Sequence, residues 1–156
     1  MSQELKKEML GVGLLGLFLF LFVSLISYYP FDPSFSTLAQ GTARNWCGKV
    51  GSYISDILIQ VLGMTSYMLP AAALLFGTLY GRKKDPPHLL ILTAGLVLLF
   101  LSLSVLLQIS AGQIYMRGVA IPFSGFLGAL LERIFLKFFN YFGSYLVLIV
   151  LLMISL

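Results

Sequence analysis

The sequence is poor in the residues that carry most protein chemistry. Its 156 residues include one cysteine and one histidine. A single cysteine excludes a disulfide within the chain, and a single histidine excludes a metal site built from several histidines. Charged residues are also scarce, at 10% against the roughly 25% of an average soluble domain. We therefore expect no catalytic residues, no metal and no cofactor in this chain.

Hydrophobic residues, in contrast, make up 59% of the chain, which is more apolar surface than a water-soluble core of this length can bury. A helix of about 20 apolar residues crosses the hydrocarbon layer of a bilayer. The sequence therefore predicts an all-α integral membrane protein, a single domain of residues 1–156 with four transmembrane helices. The predicted spans are about 9–28, 57–80, 89–109 and 138–156, and the longer loops are about 29–56 and 110–137.

A short amphipathic segment precedes the fourth span. Residues 121–134 carry apolar side chains on one face at helical spacing and small or polar residues on the other. The segment is too short to cross a bilayer, so we predict an amphipathic helix that lies at the membrane interface or packs back on the bundle. The alternative is that it extends the fourth span after Pro122. The apolar face is Phe123, Phe126, Leu127, Leu130, Leu131 and Ile134, and the other face is Ser124, Gly125, Gly128 and Glu132.

The distribution of basic residues indicates the orientation. Both sides of the predicted membrane carry the same number, but three of those on the terminal side fall within the short turn 81–88. Since charges in short loops dominate orientation, we expect cytoplasmic termini and extracytoplasmic longer loops. The apolar run reaches Leu156 without a polar flank, so we also expect a longer parent protein. The terminal-side residues are Lys6, Lys7, Arg82, Lys83 and Lys84, against Arg44, Lys49, Arg117, Arg133 and Lys137.

The first apolar run ends abruptly in SYYPFDPSFS, residues 27–36. Tyr28 and Tyr29 fit an aromatic belt at the lipid headgroups. Pro30 and Pro33 stop the helix, and Asp32 begins a turn signal with the Pro33-Ser34 pair that follows it. This composition predicts a helix that leaves the bilayer and turns.

The same segment resembles the S-x-x-P-x-D-P-S-[WF]-S sequence that closes the first membrane helix of FtsK/SpoIIIE DNA translocases. Downstream, the chain is similar to that family's N-x-x-G-x-x-G-x-x-x-[AS]-D sequence and to its F/L-G-x-x-[AS]-Y-x-x-P sequence. The strong similarity covers about residues 27–70. The matching downstream positions are Asn45, Gly48, Gly51, Asp56, Gly63, Tyr67 and Pro70.

The resemblance implies the N-terminal membrane domain of a hexameric, ATP-driven DNA translocase that acts in cell division and chromosome segregation. It implies location at the division septum in the bacterial inner membrane. The expected partners are the lipid bilayer, further copies of the chain and other septal membrane proteins. The domain itself is expected to be non-catalytic and to make no direct contact with nucleic acid. GTARNWCGKV is no phosphate loop, because it has six residues between Gly41 and Gly48 where a phosphate loop has four, and Val50 where a hydroxyl belongs. We expect the family's cytoplasmic linker and motor domains to lie outside residues 1–156.

The candidate site residues are therefore structural or partner-contacting. They are Pro30, Asp32, Pro33, Ser34, Asn45, Gly48, Gly51, Asp56, Gly63, Tyr67 and Pro70, with Gly77 and Gly81 as a candidate helix–helix contact, within the chain or between protomers.

Several roles remain open at this point. Asp56 is either a first-turn carboxylate of the second span or a contact of the loop around Arg44 and Asn45. Asp32 is a turn residue, a polar anchor of the loop or a partner-binding residue. An alternative function is a stand-alone small transporter or pore, with a path lined by Gln60, Ser66, Tyr67 and Pro70.

Overall fold

Helices dominate the computed structural model, which describes residues 3–37, 41–82 and 88–156. Within these ranges, four helical stretches are long and apolar enough to cross a membrane: Gln3–Ile26, Gly48–Gly81, Leu89–Ala111 and Gly125–Ser155. The predicted all-α membrane protein with four spans is confirmed. The elements are α1 (Gln3–Ile26), α2 (Gly48–Leu62), a 3₁₀ segment (Gly63–Tyr67), α3 (Met68–Gly81), α4 (Leu89–Ala111), β1 (Gln113–Met116), β2 (Val119–Pro122) and α5 (Gly125–Ser155).

The helix that contains the second predicted span begins at Gly48, before the predicted span of about 57–80. Residues 48–56 are polar enough to be assigned to a loop, yet they are helical because their polar side chains have partners elsewhere in the fold. Pro70 lies in the first turn of α3, where an amide N–H has no partner in the α-helical ladder, so its missing N–H costs the helix no hydrogen bond. Lys83 and Lys84, which contributed to the predicted orientation, lie outside the described residues.

The chain divides into two compact units, Met1–Asp56 with Tyr67–Leu92, and Ile57–Ser66 with Thr93–Leu156. In the first unit α1 packs against α3. A methyl group built on Gly11 would lie 2.5 Å from the Gly81 nitrogen and 3.1 Å from the Gly77 oxygen. The predicted contact at Gly77 and Gly81 is therefore a contact within the chain. Its other side is Gly11, which the sequence analysis did not single out.

In the second unit the break after α2 fits against the start of α5. Gly63 and Gly125 adopt the left-handed φ values of +60° and +62°, which side chains other than glycine rarely tolerate. The Met64 amide donates to the Phe123 carbonyl at 2.8 Å. A methyl group on Gly125 would lie 2.6 Å from the Val61 carbonyl carbon. The motif glycine Gly63 is thus required by a contact between two backbones.

An antiparallel β-hairpin of β1 and β2 occupies the loop between α4 and α5. It was not predicted. Its two turn residues, Arg117 and Gly118, have φ values of +50° and +89°, as the two-residue turns that match strand twist require. Gln108 holds the base of the hairpin, because its Nε2 donates to the Gly112 carbonyl at 2.7 Å and its Oε1 accepts from the Ser124 amide at 2.9 Å.

The predicted amphipathic helix is present as the first half of α5. It begins at Gly125, because the predicted residues 121 and 122 belong to β2. A kink at Asn140, whose φ of +52° and ψ of −176° are non-helical, separates it from the fourth span. Its glycine face is buried at Gly125 and Gly128, whereas Phe126 is 66% exposed and Leu130 43%. Small residues therefore face the protein and large apolar ones face outward, the arrangement expected for a surface in contact with lipid.

The Gly11 contact predicts a position-specific effect on stability. Gly11→Ala should destabilise the chain by about 1–3 kcal/mol, because the added methyl group meets backbone atoms that cannot move aside. Thermal unfolding in detergent micelles measures this. Gly13 lies on the same helix with no atom within 4 Å of an added methyl group, so Gly13→Ala is the matched control. Equal melting of the two variants would contradict the α1–α3 contact.

Candidate functional site: a polar cap at the end of α1

The end of α1 carries backbone carbonyl groups that no further helical turn can bond. Ser27 satisfies the first of them: its amide and its hydroxyl donate to the Val23 carbonyl at 3.0 and 2.6 Å. Asn45 satisfies the next, since its Nδ2 donates to the Ser24 carbonyl at 2.8 Å. Two residues of the family-like sequence pattern are therefore caps of a membrane helix.

Tyr67 supplies a third cap from the start of α3. Its hydroxyl donates to the Leu25 carbonyl at 3.0 Å. This bond explains a tyrosine at this position of the pattern, because only a long side chain with a terminal donor reaches from α3 to the end of α1. The transporter alternative counted Tyr67 as lining a path, whereas its hydroxyl is bonded to the protein backbone.

Asp32 places the Asn45 cap. Its carboxylate is buried, with 3% of the residue exposed, and it accepts from the backbone amides of Arg44 at 2.9 Å and Asn45 at 2.8 Å. A carboxylate that accepts two buried amides makes strong, charge-assisted bonds. Asp32 also lies in a turn, because its own amide donates to the Tyr29 carbonyl at 3.0 Å. The polar-anchor hypothesis for Asp32 matches this geometry.

The Asn45 side chain has its hydrogen-bonding groups engaged. Besides Ser24, its Nδ2 donates to the Ser55 hydroxyl at 3.3 Å, and its Oδ1 accepts from the Cys47 amide at 3.0 Å. Gly51 must be small here: an added methyl group would lie 2.9 Å from the Ser24 hydroxyl oxygen and closer still to Asn45 Oδ1. Gly51 thus belongs to the pattern because the asparagine fills the space beside it.

Asp56 lies deeper in its helix than predicted. It is the ninth residue of α2, so the first-turn interpretation is wrong. Its carboxylate contacts the first loop, which also contains Arg44 and Asn45, at Ser36. The carboxylate accepts from the Ser36 hydroxyl at 2.9 Å, the Ser36 amide at 3.4 Å and the Tyr28 hydroxyl at 3.3 Å. Burial, then the charge of Asp56 and this bond, raise the pKa of Tyr28, so its hydroxyl stays a donor.

The two prolines and Ser34 shape the turn between these contacts. The Pro30 carbonyl accepts from the Thr37 hydroxyl at 3.1 Å, and the Pro33 carbonyl accepts from the Ser52 hydroxyl at 2.6 Å. Ser34 is buried and donates its amide to the Thr37 carbonyl at 3.2 Å. We call the cluster of Tyr28, Asp32, Ser36, Asn45 and Asp56, with the turn that joins them, the polar cap.

The outer surface of the polar cap is aromatic. Phe31 is 50% exposed, Phe35 74% and Trp46 77%. The Arg44 guanidinium lies over the Tyr29 ring, 4.7 Å from its centre, a cation–π contact. No group of three histidine, cysteine or acidic side chains that could hold a metal occurs in the described residues. The polar groups of the cap bond to the protein itself, and aromatic rings face outward.

Known proteins resemble this chain along most of its length. The family model of the 4TM region of DNA translocase FtsK/SpoIIIE matches residues 3–156. The chain belongs to this family. Among curated FtsK proteins, the DNA translocase FtsK of Shewanella oneidensis is 30% identical over 137 residues, 83% of this chain and 15% of that protein. The DNA translocase FtsK of Vibrio vulnificus is 29% identical over 150 residues, which are 94% of this chain and 15% of that protein.

In some FtsK relatives the matching segment is shorter and its sequence identity is higher. The DNA translocase FtsK of Rickettsia prowazekii is 38% identical over 65 residues, 40% of this chain and 9% of that protein. The chain spans about 15% of the length of the first two FtsK relatives. No solved structure matches the chain. The comparisons thus place the polar cap in the 4TM region of FtsK, a membrane domain.

The bonds of Asp32 predict that the cap contributes to stability. Asp32→Ala leaves two buried amides without an acceptor and should cost about 1–3 kcal/mol. Asp32→Asn, which keeps one acceptor oxygen, should cost less. Trp46 is the only tryptophan and follows Asn45 directly, so its fluorescence during thermal unfolding reports on the cap.

Thr42→Ala is the matched control for the Asp32 variants, because Thr42 is exposed in the same loop. Asp32→Ala should unfold at a lower temperature than Thr42→Ala. If the two variants unfold together, Asp32 is only a turn residue.

Proposed function

We propose that this chain is the membrane-anchoring and septum-targeting domain of an ATP-driven FtsK/SpoIIIE-like DNA translocase, and that it is itself non-catalytic. The observation that carries the proposal is the family match along four apolar helices, over residues 3–156. The FtsK relatives are several times longer, with this region as about 15% of their length. DNA translocation, and the ATP hydrolysis that drives it, would belong to the remainder of such a protein.

The anchor would sit in the bacterial inner membrane with both termini in the cytoplasm. This orientation places the polar cap on the outer side and the helix ends that adjoin a motor on the inner side. The supporting observation is the concentration of basic residues in the turn 81–88, since short-loop charge sets orientation. Tethering in this way raises the local concentration of any attached domain at the membrane.

Septum targeting would come from the outer surface of the polar cap. Tryptophan, other aromatic residues and arginine are enriched where proteins bind one another. Phe35, Arg44 and Trp46 are each exposed, while the polar groups of the cap are bonded internally. We propose that other septal membrane proteins bind here, with cap rigidity keeping the entropic cost of binding low.

Assembly of several copies, a hexamer in the parent protein, would use a face other than the glycine pair. Gly77 is buried against α1, and a methyl group on it would lie 3.1 Å from Leu15. This glycine contact is already filled within one chain. Substitution of Gly77 would therefore act first on folding, and only through folding on assembly.

Septum targeting can be tested with a fluorescent protein fused to the chain in dividing native cells. The fusion should concentrate at midcell, and the double substitution Phe35→Ser/Trp46→Ser should spread it around the envelope without reducing its amount in the membrane. The matched control is Tyr115→Ser, since Tyr115 is 73% exposed but lies in the hairpin. Midcell location that survives the double substitution, or an even distribution of the unmodified fusion, would contradict targeting by the cap.

A further inference from the structure

The first half of α5 carries a pair of basic residues beside an apolar ridge. Phe126, Leu130 and Ile134 recur every fourth residue and are 66%, 43% and 45% exposed. Arg133 and Lys137, also four residues apart, are exposed. At about 100° per residue the pair and the ridge share one side of the helix. The side that faces away from the protein is thus both apolar and positively charged.

Among the described residues, no acid pairs with the charges of Arg133 and Lys137. Within the part of the chain that the structure describes, neither the Arg133 guanidinium nor the Lys137 ammonium takes part in a hydrogen bond or an ion pair. The neighbouring acid, Glu132, points about 100° away from Arg133 around the helix. Two positive charges therefore remain on this surface, without an acid between them.

The surface adjoins a membrane-spanning segment. After the kink at Asn140, α5 resumes with the apolar residues 141–155. Large exposed rings flank this point, with Phe138 at 73%, Tyr141 at 65% and Phe142 at 82% exposure. Aromatic residues concentrate at the level of the lipid headgroups. Arg133 and Lys137 therefore lie within about two helical turns of that level, and their long side chains can extend to it.

We propose that Arg133 and Lys137 bind the phosphate of an anionic phospholipid, while Phe126, Leu130 and Ile134 contact its acyl chains. A guanidinium can make two parallel hydrogen bonds to a phosphate, and an ammonium adds a point charge beside it. A headgroup with net negative charge is preferred over a zwitterionic one, because no carboxylate on this side attracts a choline. The adjoining membrane span makes lipid the occupant, because acyl chains already surround the same helix.

Fluorescence quenching by brominated lipids tests this at the site itself. The chain is prepared with Trp46→Phe and Ile134→Trp, so that the only tryptophan lies beside the basic pair. It is reconstituted into phosphatidylcholine vesicles containing increasing fractions of brominated phosphatidylglycerol or brominated phosphatidylcholine. The expected result is a preference for phosphatidylglycerol on the order of 30-fold, the size that two basic residues near an anionic membrane surface can supply.

Two further samples separate this site from general charge effects. Adding Arg133→Gln/Lys137→Gln should reduce the preference to about 1, whereas Lys6→Gln/Arg82→Gln removes the same charge elsewhere and should leave it unchanged. Ile149→Trp in place of Ile134→Trp reports on the same helix away from the pair. Its fluorescence should be quenched equally by the two brominated lipids. This quenching also verifies that the chain is inserted in the bilayer.

Three outcomes would overturn the proposal. Equal quenching by the two lipids at Ile134→Trp would show that the pair does not select an anionic headgroup. A preference that survives Arg133→Gln/Lys137→Gln, or one reduced equally by Lys6→Gln/Arg82→Gln, would place its origin elsewhere. Absence of quenching at Ile134→Trp, together with normal quenching at Ile149→Trp, would mean that protein and not lipid covers this surface.

Discussion

The end of α1 is the constraint on which the rest of the first unit depends. A helix that stops at the membrane surface leaves its last carbonyls unpaired, and an unpaired group costs more as water becomes scarce. Here the donors come from Ser27, Asn45 and Tyr67, which are far apart in the sequence. Satisfying one helix end therefore fixes the first loop and the start of α3 at a single point.

The two buried carboxylates serve this arrangement in different ways. Asp32 holds the Arg44 and Asn45 amides and so aims the asparagine at α1, while Asp56 holds Tyr28 and Ser36. Both are paired with several donors, as buried charges must be. Since the polar atoms of the cap point inward, aromatic side chains form its outer surface, on which the proposed targeting function rests.

Local features of the sequence predicted the membrane spans and the cap residues, but not their contacts. Apolar runs and turn residues act over a few positions, so the four helices and the turn at Asp32 could be predicted. The helical start at Gly48, the partners of Asp56 and the Gly11 contact depend on residues distant in the chain, for which one sequence gives no signal. The hairpin has a signal in Arg117-Gly118 between two short stretches that contain β-branched residues, but the polar composition of residues 110–118 favoured a loop.

The most direct test of the capping account is hydrogen exchange of the backbone amides of Arg44 and Asn45 in the chain reconstituted in lipid. Both amides donate to Asp32 and lie outside any helix, so only the polar cap can protect them. The account predicts that both amides exchange roughly 100-fold or more slower than in an unstructured peptide. In the Asn45→Ala variant, the Arg44 amide should lose this protection. Exchange at unstructured rates, with α1 still protected, would show that the helix end is left to water and that the cap is not a fixed structure.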